Sequence, residues 1–239
     1  MVIVKVVIQM KKLIKAFALT IMACFMVLLV LGFIEYRSVI REMPIQDKVA
    51  SIMQKDDYVP IDEISDYLKV ATISTEDKRF YKHQGVDLIA YGRILYVFIT
   101  SGQISGGGST ITQQLAKNMY FSFQPSIIRK VAEFFVTKDL ERLYDKDTLL
   151  ELYLNIINYG DNNIGIASAS MNYFHVEPAD LSFDQATLLA GIPQSPANYQ
   201  LSNHEDQARL RQQAVLATIE DNGYYDDDEL ARLLLGVNP

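Results

Sequence analysis

The 239-residue sequence sets 22 Lys and Arg against 29 Asp and Glu, a formal net charge of −7, and 49% of its residues are hydrophobic. That is room for one good-sized domain with a substantial core, and it excludes wholesale disorder. With no basic runs or aromatic ladder, nucleic acid is excluded as a partner, and the single Cys24 can close no internal disulfide.

The first element is an apolar run. Ala16–Ile34 is 19 residues without a charge, and at about 1.5 Å per residue it spans roughly 28 Å, close to the hydrocarbon core of a bilayer. Lys5, Lys11, Lys12 and Lys15 precede it, and Glu35, Arg37, Arg41 and Glu42 follow. The positive-inside bias puts residues 1–15 in the cytoplasm and the rest of the chain outside, extracellular or periplasmic. A cleaved signal peptide would end at an Ala-x-Ala-like site, which Gly32–Tyr36 does not offer. Met1–Met10 is itself apolar and reads either as an interfacial segment or as a misassigned start.

Beyond the run, 18 basic residues stand against 29 acidic ones, a net of −11. The stretch from Tyr91 to Lys138 reverses this, with Arg93, Lys117, Arg129, Lys130 and Lys138 against one acid, Glu133. Such a cationic island on an anchored domain suits a phosphate carried by a membrane lipid.

Residues 35–60, polar and holding Pro44 and Pro60, read as a stem, and residues 61–239 as the domain. From Asp62, a helical pattern places Ile64, Leu68, Ala71 and Thr75 on one face and runs into Glu76, with Gly85 as a stop. Val86–Ser101 has Tyr91, Leu95, Phe98 and Ile99 at helical spacing around Arg93. Together with the patch Met119–Phe123, its apolar surface belongs either to the core or to a membrane-dipping face.

Between them lies Gly106–Asn118. Its glycines permit a sharp turn or a close approach to a ligand, and Thr110 with Gln113 fits a capping box. Gln113, Lys117, Thr110, Gln114 and Asn118 share an arc of about 140°, opposite Ile111, Leu115 and Met119. A face of amides, hydroxyl and ammonium without a carboxylate suits a polar, sugar-like ligand; the plain alternative is a capped amphipathic helix. Further helices are expected over Ser126–Leu143, from Asp147 to a stop at Asn158–Gly160, over Ile164–Phe174 and Phe183–Ala190, and from an Asn203 cap to Asp221. No strand series appears, so the fold is mainly α.

Two carboxylates could carry chemistry. Glu76 ends an apolar helix beside Lys78, Arg79 and His83, as a general base or as a helix-end ion pair. Glu133 lies one turn from Arg129, as a second acid or as its ion-pair partner. A pair of carboxylates on a cationic, amide-rich surface is a sugar-processing arrangement with a place for an anionic leaving group. His83, His175 and His204 lack metal-ligand spacing. Gly106–Ser109 lacks the Gly-Lys-Ser/Thr ending of a nucleotide loop. Neither Ser-x-x-Lys nor Lys-Thr-Gly occurs, so serine-acylation chemistry is not expected.

In sum, the chain resembles the monofunctional, membrane-anchored peptidoglycan glycosyltransferases. Glu76, Asp77, Phe80, His83 and Gly85 match the family's first motif, Gly107–Asn118 the second, and Arg129, Lys130 and Glu133 the third. Lys146, Glu151, Tyr153, Leu154, Asn155 and Gly160 match the fourth, and Arg211, Val215 and Leu216 the fifth. The resemblance implies a lysozyme-like α-helical head and a smaller membrane-touching jaw within about 86–125, with the end of the sequence leaving no room for a transpeptidase. It implies a glycan on undecaprenyl pyrophosphate as donor and lipid II as acceptor. Glu76 would be the general base, and Glu133 would assist departure of the pyrophosphate, directly or through a divalent cation such as Mg²⁺ or Mn²⁺, with no organic cofactor. Lys117 and Arg129 match phosphate-contacting positions, and Thr110, Gln114 and Asn118 the polar wall of the cleft. Asp77, Phe80, Ser109 and Lys130 complete the expected substrate-binding set. Other cell-wall synthesis proteins are expected partners.

The chain departs from the family pattern in Asn158–Ile166 after the fourth motif, where Tyr-x-Gly-x-Gly-x-Tyr-Gly-Ile is usual and Asn158, Asn162 and Ile164 differ, and at Val176 and Gln185, which bears on rate, processivity and partner contacts rather than reaction type. Two rivals stay open: a lytic transglycosylase acting on finished glycan, and an inactive anchored scaffold.

Overall fold

The computed structural model describes residues 2–102, 107–121 and 126–236. Met1, Gly106 of the glycine-rich stretch, and residues 103–106 and 122–125 of the expected jaw lie outside them.

The chain opens with α1 (Val2–Glu42), which contains the whole apolar run. Among the described residues it is the one helix long and apolar enough to cross a bilayer. After α2 (Ile45–Met53) and a 3-10 turn at Ile61–Glu63 come α3 (Asp66–Glu76), α4 (Leu88–Ser101) and α5 (Ile111–Tyr120). Next are α6 (Ile127–Leu143), α7 (Lys146–Ile156), α8 (Ile166–Phe174) and α9 (Phe183–Gly191). A short α10 (Pro196–Tyr199), α11 (Leu201–Asp221) and α12 (Asp227–Leu234) complete the order. The described residues contain no β-strand, only an isolated bridge between Asn158 and Ile164.

The starts of these helices follow from local side chains. Asp87 accepts from the Ile89 and Ala90 amides to cap α4, Ser126 caps α6, Asp145 caps α7 and Ser182 caps α9. Gly85 ends the segment before α4 at φ 84°, as a stop should. Two starts differ from expectation. Ser65, not Asp62, stands at the head of α3. Asn203 falls inside α11, beside a kink at His204, and its side chain takes a hydrogen bond from Gln200 instead of capping.

The stem is a further correction. Ile45, Val49 and Ile52 sit at helical spacing and are buried in the core, so a stretch of polar composition hides an apolar stripe. Asn155 then grips the Val59 backbone with two bonds of 2.8 Å. Glu151 accepts from the Ile61 amide at 2.6 Å and from the Tyr58 hydroxyl. Residues 45–60 are therefore domain, pinned by two fourth-motif side chains.

The core is a stack of buried helices. α3 packs on α9 and α11, while α5 packs on α6 and α7. Leu68, Ile111, Leu115, Leu140, Leu150 and Tyr153 are fully enclosed. α4 contrasts with them, leaving Leu88, Ile89, Tyr96 and Ile99 largely exposed. The α3–α5 assembly fixes the end of α3 against the side of α5, which is where the expected site residues meet.

Candidate active site

Asp77, the residue after Glu76, organises the entrance to α5. It is buried, its carboxylate lies 2.8 and 3.0 Å from His83 Nε2, and it accepts the Ile111 amide at 3.1 Å. A carboxylate at the first turn of a helix satisfies an otherwise orphaned N–H and opposes the dipole. Thr110 completes the start of α5. Its hydroxyl donates to the Gly85 carbonyl at 2.6 Å and accepts from the Gln113 amide at 3.1 Å, and the Gln113 side-chain oxygen accepts in turn from the Thr110 amide. The capping box is present as expected, but Gln113 is buried with it rather than displayed on the polar face. Phe80 is fully buried, edge-on to Tyr81 and under the Lys146 ammonium. Asp77, Thr110, Phe80 and His83 thus hold the frame of the site.

The half-buried Glu76 closes α3, and Gln114 donates to it from α5 at 2.6 Å. The Tyr153 hydroxyl, fully enclosed, lies 3.4 Å behind the Gln114 oxygen and orients the amide. Burial raises the Glu76 carboxyl above the ordinary range, against the opposing pull of the Gln114 bond and of the Arg211 and Lys117 charges. An acid shifted upward by burial in a cleft has the character of a proton acceptor near neutral pH.

Two cavities meet at this carboxylate. One, of about 250 Å³, is walled by Ser109, Gln114, Lys117, Lys130 and Arg211. The other, of about 300 Å³, runs past Asp77, Lys78, Arg93, Ser109, Asp221 and Asn222. Thr75, Glu76, Gly107 and Ser109 line both. The first is a cationic chamber and the second has mixed charge. Asn118, half-buried one turn beyond Gln114, lines neither.

Glu133 sits behind the cationic chamber with no exposed surface. Arg129 Nε approaches one of its oxygens at 3.0 Å and Lys130 Nζ the other at 2.9 Å. Lys130 also donates to Ser109 at 2.9 Å, tying α6 to the glycine-rich turn. Burial pulls the Lys117 ammonium below the ordinary lysine range; the Glu133 charge opposes this, and Lys130 and Arg129 add to it. The carboxylate therefore anchors Arg129 and Lys130 directly and acts on Lys117 through its charge. Its donor set does not fit a divalent metal. Both oxygens already face cations, and no trio of His, Cys, Asp or Glu gathers among the described residues.

Sequence reasoning missed Arg211 and Thr75 as lining residues, and with them the Pro193–Gln194 turn. The fifth motif contains Arg211, but its meeting with Glu76 exists only because α11 packs on α3.

Comparison with known proteins agrees with this geometry. The family described as Transglycosylase matches residues 45–220. Penicillin-binding protein 1F of Bacillus subtilis (strain 168) is 41% identical over 184 residues, 77% of this chain and 26% of that protein. Penicillin-binding protein 1A/1B of the same organism is 42% identical over 177 residues, 74% of this chain and 19% of its own. Penicillin-binding protein 1A of Aquifex aeolicus (strain VF5) is 38% identical over 177 residues, 74% and 24% of the two chains. The chain spans about a quarter or less of the length of these relatives.

Proposed function

The chain belongs to the transglycosylase family, and from that membership we propose that it polymerises the glycan of peptidoglycan. The donor is the growing glycan on undecaprenyl pyrophosphate and the acceptor is lipid II. The observation that carries the reading is the half-buried Glu76, raised above the ordinary carboxylate range at the junction of a cationic and a mixed-charge cavity.

The acceptor's 4-hydroxyl arrives at Glu76 from the mixed-charge side and gives its proton to the carboxylate. The hydroxyl oxygen bonds to the donor's anomeric carbon as the bond to pyrophosphate breaks. The electron pair leaves with the pyrophosphate into the chamber of Lys117, Lys130 and Arg211, where fixed cations stabilise the developing charge. A single displacement inverts the anomeric centre and gives a β-1,4 link. Arg129 and Lys130 occupy the first helical turn of α6, where no acidic side chain offsets the positive end of the dipole. Such a helix end favours a bound anion. Glu133 holds these cations in place from behind, and no metal is assigned to it.

The apolar run of α1 anchors the domain in the membrane. Its orientation, with residues 1–15 in the cytoplasm and the domain outside, rests on the lysine bias, and the exposed apolar surface of α4 suits contact with the same membrane. Incubation with lipid II, and separately with murein sacculi, tests the proposal. Glycan polymer from lipid II is expected; muropeptides released from sacculi without polymer would identify a lytic enzyme, and neither product a scaffold.

A further inference from the structure

The anchor helix and the anion-binding helix are packed together. A stripe of α1 turns inward: Leu28, Leu29, Glu35, Tyr36, Val39 and Ile40 are half-buried around a buried Gly32. A Cβ on Gly32 would overlap the Val131 side chain of α6 and meet the Ile128 carbonyl at 3.0 Å, so only glycine lets the two backbones approach this closely. Above it Phe33 meets Phe135 edge-on and Tyr36 meets it at a tilt, with centroids 5.2 and 5.5 Å apart, and the Tyr36 hydroxyl donates to Asp139 at 2.5 Å. Contacts that climb α1 from 32 to 36 climb α6 from 128 to 139. The two helices therefore run parallel, and the first turn of α6 is the end nearest the membrane.

This pairing fixes a height. Gly32 lies two residues before Ile34, the last residue of the charge-free run, which is about 3 Å inside its outer end. Arg129 and Lys130 share a turn of α6 with Ile128 and Val131, which meet Gly32. A bilayer's headgroup layer extends roughly 5–7 Å beyond the hydrocarbon on each side. The backbone of both residues thus lies at the outer edge of the hydrocarbon, and their side chains, directed along α6 to Glu133, reach outward into the layer of lipid phosphates. Ile127, the first residue of α6, is 68% exposed at the same level, as a lipid-facing residue would be.

We infer that the outer turn of α1 is a wall of the active site rather than a tether. Through Gly32, Phe33 and Tyr36 it positions α6 so that Lys130, with Arg129 behind it, receives a lipid-borne pyrophosphate without lifting it from its own plane. Gly32 is a positioning residue, acting through α6. The height follows from the packing and the membrane anchor; its use rests on the proposed glycan polymerisation.

The full-length chain tests this in vesicles of phosphatidylethanolamine and phosphatidylglycerol. The single cysteine, Cys24, is replaced by alanine and a fluorophore is attached through Ile127→Cys. Nitroxide lipids labelled near the ester should quench the probe several-fold more than nitroxide at the acyl-chain end, and more than aqueous iodide. Quenching by iodide alone would overturn the inference. Gly32→Leu should then expose the probe to iodide and lower turnover of long-chain lipid II about a hundredfold, the scale of a misplacement of about 1 Å. Turnover of a water-soluble, short-chain lipid II analogue should fall by about tenfold at most, since that substrate can follow the displaced helix and is not held to the membrane plane. Gly32→Ala should be impaired and the pair Gly32→Ala with Val131→Gly restored. Parental behaviour of Gly32→Leu in both readouts would refute a positioning role. If the parent makes no polymer while the probe reports headgroup depth, the functional reading fails and the geometry stands.

Discussion

Burial holds the Glu76 carboxyl above its ordinary range, and the sign of its pH dependence follows. The base is the deprotonated form, so the acid limb of kcat/KM should sit at higher pH than a solvent-exposed glutamate would give. Gln114→Ala, by removing the bond that opposes the shift, should move that limb higher still. A limb that stays put in that variant would contradict the assignment. The same shift acts on folding. Because the folded state holds the Glu76 proton more tightly than the unfolded chain, stability is lost as pH rises from the unfolded pKa through the folded one. At neutral pH the carboxylate is therefore a stability cost, and Glu76→Gln should melt no lower than the parent while losing about a thousandfold in rate. Lys117→Ala should lose about a hundredfold, with Lys117→Arg retaining part of it, as expected for a group that meets developing charge. Glu76 and Lys117 were legible in the sequence because the first two motifs surround them with recognisable neighbours. Arg211 was not, since its part depends on a helix contact that no local pattern encodes. Thr110 and Phe80 were legible as motif members; the Phe80 ring fills the core, while Thr110 lines the second cavity and its hydroxyl caps α5.

At the level of elements, the start of α5 and the first turns of α6 do different work. Asp77 and Thr110 both serve the N-terminus of α5, whose side Gln114 and Lys117 occupy. Thr110→Ala should cost about 1 kcal/mol of stability by loss of the cap, and Thr110→Ser should restore most of it. Thermal melts of the two variants check this; equal melting with a raised KM in Thr110→Ala would point to substrate contact instead. α6 is set by Glu133. Glu133→Gln leaves Arg129 and Lys130 poorly matched, so it should lose about 2 kcal/mol as well as turnover. That outcome separates it from Glu76→Gln, which should lose turnover alone. Helix existence was readable from apolar spacing and from the residues at helix starts. The stem was misread because Ile45, Val49 and Ile52 are spread among polar residues, and only the surface of α7 reveals what they cover. α12 went unread among the acidic residues of the C-terminal stretch.

For the molecule as a whole, composition and charge separated an anchor from an acidic domain with a cationic island. The island's five basic residues do not converge on one place. Lys117 and Lys130 line the chamber and Arg129 stands behind it, Arg93 lines the second cavity, and Lys138 donates to the Gln84 carbonyl at an exposed position. The sequence ordered the motifs but could not show that a helix read as a membrane anchor continues into the domain and packs along the anion-binding helix. The arrangement joins chemistry to place: a half-buried base on α3, cations on α5, α6 and α11, and a membrane helix against α6. The direct test of that account is lipid II turnover by the full-length parent beside Glu76→Gln in the same vesicles. The account predicts β-1,4 glycan polymer with release of undecaprenyl pyrophosphate from the parent, and neither from a folded Glu76→Gln protein. Polymer from the variant at near-parental rate, or muropeptides from sacculi with no polymer from the parent, would contradict it.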